Sequence, residues 1–358
     1  MPPYRRRSVS SIRRKRHVTA GLPDLITIGY YPLCDAAPIL IAQHQGIFRK
    51  NGLNVQLKKE IGWSTLLRKL EQGHFQAVHA PAALLFQPWQ NTPAPDLTLQ
   101  TAYILNVQGT AITLSSKYAV AGIRTGAQLA QHLLEVEPNE ILKIGVSSHF
   151  SSHKIFVLEW LDSLNIATER VEFVVLPPRQ MPPNLSNNNI DAFCADEPWN
   201  NYCVHLGTGF CEVTSPEVLN NEFPEKGLIT TRLFAKKNPE THAAIVQSIN
   251  QAAAYCDNTE YSNDVAKTLS HHLDIEPSLI QASFSSIFLF GVDRDKSQKK
   301  LLHFTGDHVN RPDSHKGEWI RDGLVRSGLI PTKNAPSNRE IRSIFRGDIY
   351  DDIFAEKA

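Results

Sequence analysis

The chain has 358 residues, of which 42% are hydrophobic, 20% charged and 8% aromatic, a balance that excludes a disordered or fibrous protein and leaves room for two lobes. Its formal charge is +1, yet Arg5, Arg6, Arg7, Arg13, Arg14, Lys15 and Arg16 all fall within the first 20 positions, which hold no acid, so the remainder is mildly acidic. Only Tyr4 interrupts that basic stretch with an aromatic ring, so residues 1–23 read as a solvated arm rather than a nucleic-acid surface.

No apolar run of the roughly 7 to 15 residues that a secretory leader needs follows the arm, and no stretch approaches the roughly 18 apolar residues of a membrane span. A cytoplasmic location is therefore expected, with a periplasmic or membrane-associated one as the alternative. The five cysteines (Cys34, Cys194, Cys203, Cys211, Cys256) are odd in number and lack Cys-x-x-Cys spacing, so free thiols are expected, without a zinc ribbon or redox pair.

From Leu25 onward, short β-rich runs alternate with segments of helical period. Ile26–Tyr31 reads as a strand, Ala37, Ile41 and Ala42 as one face of a helix, Asn54–Leu57 as a second strand, and Leu66, Leu67 and Leu70 as the apolar side of the next helix. Ala77–His79 is a third strand, with an apolar helix near Ala82–Phe86. The alternation restarts after Gly126: Ile144–Val146, Val171–Leu176 and Ile190–Cys194 as strands, and His153–Leu161 as a helix. This order predicts an α/β fold with two doubly wound lobes around a central cleft. Ala111–Leu114 and Leu228–Thr231 read as the segments that cross between lobes. The boundaries are accordingly 24–113 with 227–330 for a discontinuous first lobe, 114–226 for the second, and 331–358 for a polar tail wrapped over the surface.

Several motifs fall where an open α/β sheet receives ligands, beyond the carboxyl ends of its strands. Asp35 follows the first strand and is placed either to cap the next helix or to meet a ligand. Trp63 opens a helix, with Ser64 as its cap, and its indole either fills the core or donates its one hydrogen bond toward the cleft. Ser151, Ser152 and His153 form a helix start suited to an anion, whereas His149 and His153 straddle that start and do not read as a metal pair. Asp196 and Glu197 are adjacent on a strand, point to opposite sides, and so cannot act as a catalytic pair. Lys226 is either a solvated lysine or a point charge for an anion. No phosphate loop, nucleophile elbow or His-Glu-x-x-His motif is present, so neither an enzyme nor a metal or cofactor site is expected.

Taken in order, Gly29-Tyr30-Tyr31-Pro32-Leu33-Cys34-Asp35-Ala36-Ala37-Pro38, Gly62-Trp63, Gly109-Thr110-Ala111-Ile112-Thr113, Ser152-His153 with Trp160-Leu161, Glu197-Pro198-Trp199-Asn200, Pro224-Glu225-Lys226, and Ser314-His315 with Trp319 resemble the nitrate- and bicarbonate-binding components of ABC importers and the related cytoplasmic nitrate/nitrite sensors. The resemblance implies a type II periplasmic-binding-protein fold, with nitrate contacts at Trp63, Thr110, His153 and Lys226. Thr110 departs from the glutamine that nitrate binders carry. Bicarbonate-binding relatives have an acidic residue with calcium where Lys226 stands, so bicarbonate with calcium is disfavoured.

The expected function is a ligand-gated sensor that closes on nitrate or nitrite and signals to an antiterminator regulator. The alternatives are the binding subunit of a nitrate, sulfonate or bicarbonate importer, partnered by an ABC permease, and an enzyme of the pyrimidine-precursor synthase type.

Overall fold

The computed structural model describes residues 24–136, 140–219, 224–285, 288–292 and 300–355; the basic arm, 1–23, lies outside them. In chain order the strands are β1 (Leu25–Tyr30), β2 (Asn54–Lys59), β3 (Ala77–Pro81), β4 (Leu99–Gln108), β5 (Thr110–Ser115), β6 (Leu142–Val146), β7 (Val171–Val175), β8 (Ala192–Asp196), β9 (Gly209–Thr214), β10 (Pro224–Thr231) and β11 (Leu302–His303). The first lobe holds a six-stranded sheet in the order β11-β4-β10-β3-β1-β2 and the second a five-stranded sheet in the order β7-β6-β8-β5-β9.

Each sheet is parallel at its β-α-β core, with β1 beside β2 and β3, and β6 beside β7 and β8. The exceptions are the strand that has just crossed over in each sheet and the short β11, which runs antiparallel to β4. β5 runs antiparallel to β8 and β9, and β10 antiparallel to β3 and β4. Strands buried on both faces carry continuous apolar runs. Ala77–Pro81 and nearly all of Leu99–Gln108 are accordingly buried.

The helices that matter for the cleft are α1 (Ala37–His44), α2 (Trp63–Glu71), α3 (Ser152–Ser163), α4 (Trp199–Leu206), α5 (Pro239–Asp257), α6 (Ser314–Arg326), α7 (Asn338–Ile344) and α8 (Gly347–Phe354). In α2 the buried positions are Trp63, Leu66, Leu67 and Leu70, one helical face, each worth roughly 1.5–3 kcal/mol of transfer free energy. α6 of the first lobe lies against α3 of the second: a β-carbon added at Gly323 would stand 3.0 Å from Ile155. Ile155, Ile320 and Leu324 belong to one apolar cluster that runs across both lobes, so the cleft is closed.

The lobe crossings fall elsewhere than expected. The first is the Gln108–Gly109 step, where both residues have positive φ, so Thr110 already belongs to the second lobe. The second precedes Pro224, so Lys226 stands on a first-lobe strand. Ala111–Leu114 and Leu228–Thr231 are sheet strands, not connectors. The tail is not a surface wrap either. Ile341, Ile344, Phe345 and Tyr350 are buried, α7 begins with a Ser337/Glu340 capping box, and Thr101 bridges to Phe345, because an amphipathic pair of helices finishes the first lobe's core.

Gly109 sets the crossing. At φ 96 it occupies backbone space that side chains avoid, and a β-carbon there would come within 2.3 Å of the buried Leu302 side chain. Gly109→Ala is expected to cost about 1–3 kcal/mol in urea unfolding. A neutral result would mean that the crossing does not hold this geometry.

Candidate functional site

Seven segments deliver side chains to one buried point between the lobes. From the first lobe come Asp35, on the turn Cys34–Ala36 after β1, His79 on β3, Trp63 at the start of α2, and Glu225 with Lys226 on β10. From the second come Thr110 opening β5, Asp196 ending β8, and Ser152 with His153 opening α3. Asp35, His79, Thr110, Ser152, His153, Asp196, Glu225 and Lys226 are all buried.

Lys226 is the centre. Its Nζ lies 2.9 Å from Asp35 Oδ2, 2.9 Å from Asp196 Oδ2 and 2.9 Å from Glu225 Oε1, to which it donates a hydrogen bond. The Trp63 ring centroid is 5.8 Å away, within cation–π reach, and the indole stacks on Tyr31 at 4.4 Å. Around this core, His79 Nε2 stands 2.8 Å from Asp35 Oδ1 while the Tyr31 N–H approaches Nδ1 at 3.4 Å, which assigns the ring proton to Nε2. The Thr110 hydroxyl donates to Asp196 Oδ1 at 3.1 Å, a contact its pairing opposite Asp196 in the sheet provides. His153 Nε2 faces Asp196 Oδ2 at 3.3 Å and Glu225 Oε1 at 3.6 Å, with Ser147 Oγ 3.3 Å from Nδ1.

Glu225 and Lys226 are neighbours in one strand, and regular pleating would send them to opposite faces. Irregularities in the β10–β4 register at Pro224/Lys226 and Lys226/Gly227 bring both into the cluster instead.

The charges hold each other. Burial would raise Asp196, but the Lys226 ammonium and then His153 outweigh it and hold the carboxyl well below the usual carboxylate range. Burial would lower Lys226 and His153, but the carboxylates around them, Asp196 foremost, raise both. For Glu225 burial prevails over the attraction of Lys226 and its carboxyl is raised. His153, Asp196 and Glu225 bring donor atoms within 4.8 Å of one another, a spacing suited to a cation, and the lysine ammonium, 2.9 Å from two of the three, is the cation they hold.

All five sequence-predicted site residues (Asp35, Trp63, Thr110, His153, Lys226) therefore share one location, but two of the local readings are corrected. Asp35 does not cap α1, because its oxygens are turned to His79 and Lys226. Ser64 does not cap α2 either, since Trp63 is already its first residue and Gly62 occupies the cap position. His149 is exposed while His153 is buried, so the two rings do not meet. Asp196 and Glu197 diverge as expected: Glu197 accepts from Asn201 at 2.7 Å and from Ser283 at 2.8 Å, away from Lys226. His79, Asp196 and Glu225 are the residues that pattern reading leaves out of the site, while Ser152, read as part of an anion-binding helix start, donates its hydroxyl to Glu225.

A cavity of about 500 Å³, lined by Tyr31, Trp63, Ser147, His149 and Phe150 among others, lies on the Trp63 side of the cluster, and none of the buried charged residues lines it. A larger groove of about 800 Å³ between Trp199 and His271 lies between the lobes as well, but its charges are the exposed Arg179–Asp274 pair and neighbouring side chains at its edge.

The chain is 32% identical over 315 residues to the nitrate import ATP-binding protein NrtC of Synechocystis, covering 85% of this chain and 46% of that protein, so it spans about half the length of that relative. It is 23% identical to the nitrate/nitrite binding protein NrtA of Synechococcus elongatus, over 91% of this chain and 76% of that one. The crystal structure of the periplasmic nitrate-binding protein NrtA from Synechocystis superposes with a TM-score of 0.82 at 22% identity, covering 92% and 88% of the two chains, and establishes the type II periplasmic-binding-protein fold. The NrtA relatives are named as binding proteins, which supports a binding protein rather than an enzyme, and the cytoplasmic, regulator-coupled role expected from the sequence is not shown by these relatives. Among the described residues no helix is long and apolar enough to cross a membrane. The NMT1-like family model matches residues 21–270, which covers the whole second lobe and every residue of the charged cluster, and the chain belongs to that family.

Proposed function

We propose that the chain binds one small oxyanion of the nitrate or nitrite type between its lobes and acts as a binding component of an ATP-driven importer, at the periplasmic face or in association with the membrane. The observation that carries this reading is the meeting of Lys226 and His153, from opposite lobes, beside the Trp63 ring, in a chain whose relatives include nitrate-binding proteins. An ammonium and an imidazolium give an oxyanion charge-assisted bonds about twice as strong as neutral ones. The closed cleft withholds water and strengthens them further. Thr110, already donating to Asp196, acts by holding that carboxylate in place.

Calorimetry with nitrate, nitrite, bicarbonate and a short alkanesulfonate tests this. One-site binding of nitrate or nitrite is expected, weakened about ten- to a hundredfold by His153→Ala, the worth of one hydrogen bond to a charged group. No heat from any of the four, or an affinity indifferent to His153→Ala, would overturn the reading.

A further inference from the structure

The charge count at Lys226 creates a difficulty for any anion. Its Nζ has a carboxylate oxygen of Asp35, Asp196 and Glu225 at 2.9 Å each and donates a hydrogen bond to Glu225, so a ligand has to displace an acid to reach the ammonium. Three acids also outnumber the ammonium and one imidazole, so a further negative charge would enter a dry pocket already in negative excess. One carboxylate must let go.

The three are not equivalent. Asp35 has His79 on one oxygen and Lys226 on the other. Asp196 has Thr110 on Oδ1, and Lys226 with His153 on Oδ2. Glu225 crowds its partners onto Oε1, which accepts from the Ser152 hydroxyl at 2.9 Å and faces Lys226 and His153. Its Oε2 is buried and has no hydrogen-bond partner.

We propose that this site takes up its oxyanion together with one proton, carried by Glu225, so that the ligand enters as the equivalent of a neutral acid. The proposal rests on the oxyanion reading above and specifies how the same site works. The proton comes from solvent and adds to the Glu225 carboxylate; no other bond forms or breaks and nothing is oxidised or reduced. Protonation removes the negative excess, releases a Lys226 N–H toward the anion and turns the bare oxygen into a donor. The groups facing Glu225 act consistently. Lys226 on its own strand and His153 on α3 favour the ionised form, Asp196 on β8 opposes it, the Ser152 hydroxyl is neutral, and Asp35 with His79 lies on the far side of Lys226. Burial is the largest influence and favours the protonated form.

The test is calorimetry of the full chain with sodium nitrate and sodium nitrite from pH 5.5 to 8.5, in buffers that differ in ionisation enthalpy. The buffer dependence should show about one proton absorbed per anion at the alkaline end, where affinity should fall by up to about tenfold per pH unit. Glu225→Gln, which carries the donor permanently, should absorb almost none and keep its affinity at pH 8.5. Buffer-independent heats with a flat affinity in the intact protein would overturn the proposal, and that measurement decides even if the variant does not fold. Undiminished uptake by a folded Glu225→Gln would also overturn it. Absence of binding at pH 5.5, where protons are plentiful, would instead defeat the oxyanion reading on which it stands.

Discussion

Lys226→Met is expected to be among the most destabilising single substitutions in the chain, by about 3–5 kcal/mol at pH 8. Methionine nearly matches the lysine stem in volume, so the loss is electrostatic rather than a cavity. It leaves Asp35, Asp196 and Glu225 buried with their shared cation gone. The sign of the pH dependence follows. Without the ammonium, burial is expected to raise the Asp196 and Glu225 carboxyls above their values in the unfolded chain, so the folded variant binds more protons and gains stability as pH falls. Urea unfolding should therefore show a large deficit at pH 8 that shrinks toward pH 5. A loss below about 1 kcal/mol at pH 8 would show that the cluster does not hold the lobes. A folded Lys226→Met that bound nitrate normally would mean that the anion goes elsewhere.

The same cluster joins the two lobes. Lys226 and Asp35 belong to one lobe and Asp196 and His153 to the other, so the Lys226–Asp196 pair bridges the gap between them. Two further links cross the gap in the interior, the Cys34 N–H to the Glu197 carbonyl at 3.0 Å and Ser283 to the Glu197 carboxylate. The surface pairs Arg179–Asp274 and Arg326–Glu159 also span the lobes but are largely exposed, and such pairs contribute 0–1 kcal/mol each. Closure is thus held from the inside. On the proposed reading an oxyanion competes with the carboxylates for one ammonium, and that competition is what would tie its entry to a proton.

Much of this was legible in the residues. β1, β2 and β3 follow from their β-rich runs, and the helix face Leu66, Leu67, Leu70 from its period. The five candidate residues converge because each stands at the end of a strand or the start of a helix, where this topology opens its cleft. What pattern could not reveal is equally specific. β4 was not identified, since Leu99–Gln108 is buried on nearly every residue and lacks the alternation that marks a half-exposed strand. Asp35 looks like a helix cap until the fold brings His79 and Lys226 to its two oxygens. Glu225 is hidden more deeply, because its presence beside Lys226 depends on a register irregularity in β10 that no side-chain periodicity encodes. The net charge of the site, and with it the mechanism, is a tertiary property.

A second large effect is expected away from the cleft, at His242 in the first turn of α5. The ring is buried, its Nε2 has no hydrogen-bond partner, and it meets Phe234 edge to face at 6.5 Å. Burial, with the Arg346 guanidinium adding to it, pushes the imidazole down to about 4. Between pH 6.5 and 4 the unfolded chain therefore binds a proton there that the folded chain does not. Stability contributed at this position is complete above pH 6.5 and declines as pH falls, by roughly 3 kcal/mol at pH 4 at about 1.4 kcal/mol per unit. His153 acts with the opposite sign, since its raised pKa adds stability below pH 6.5 that is lost as pH rises through its folded value. Because His153 is common to both proteins, comparing the intact chain with His242→Phe isolates the first effect. The stability difference between them should shift by roughly 3 kcal/mol in favour of the variant from pH 7 to pH 4, read by urea unfolding at each pH. Parallel curves over that range would mean that His242 takes its proton inside the folded protein and that water or a neighbour reaches its ring.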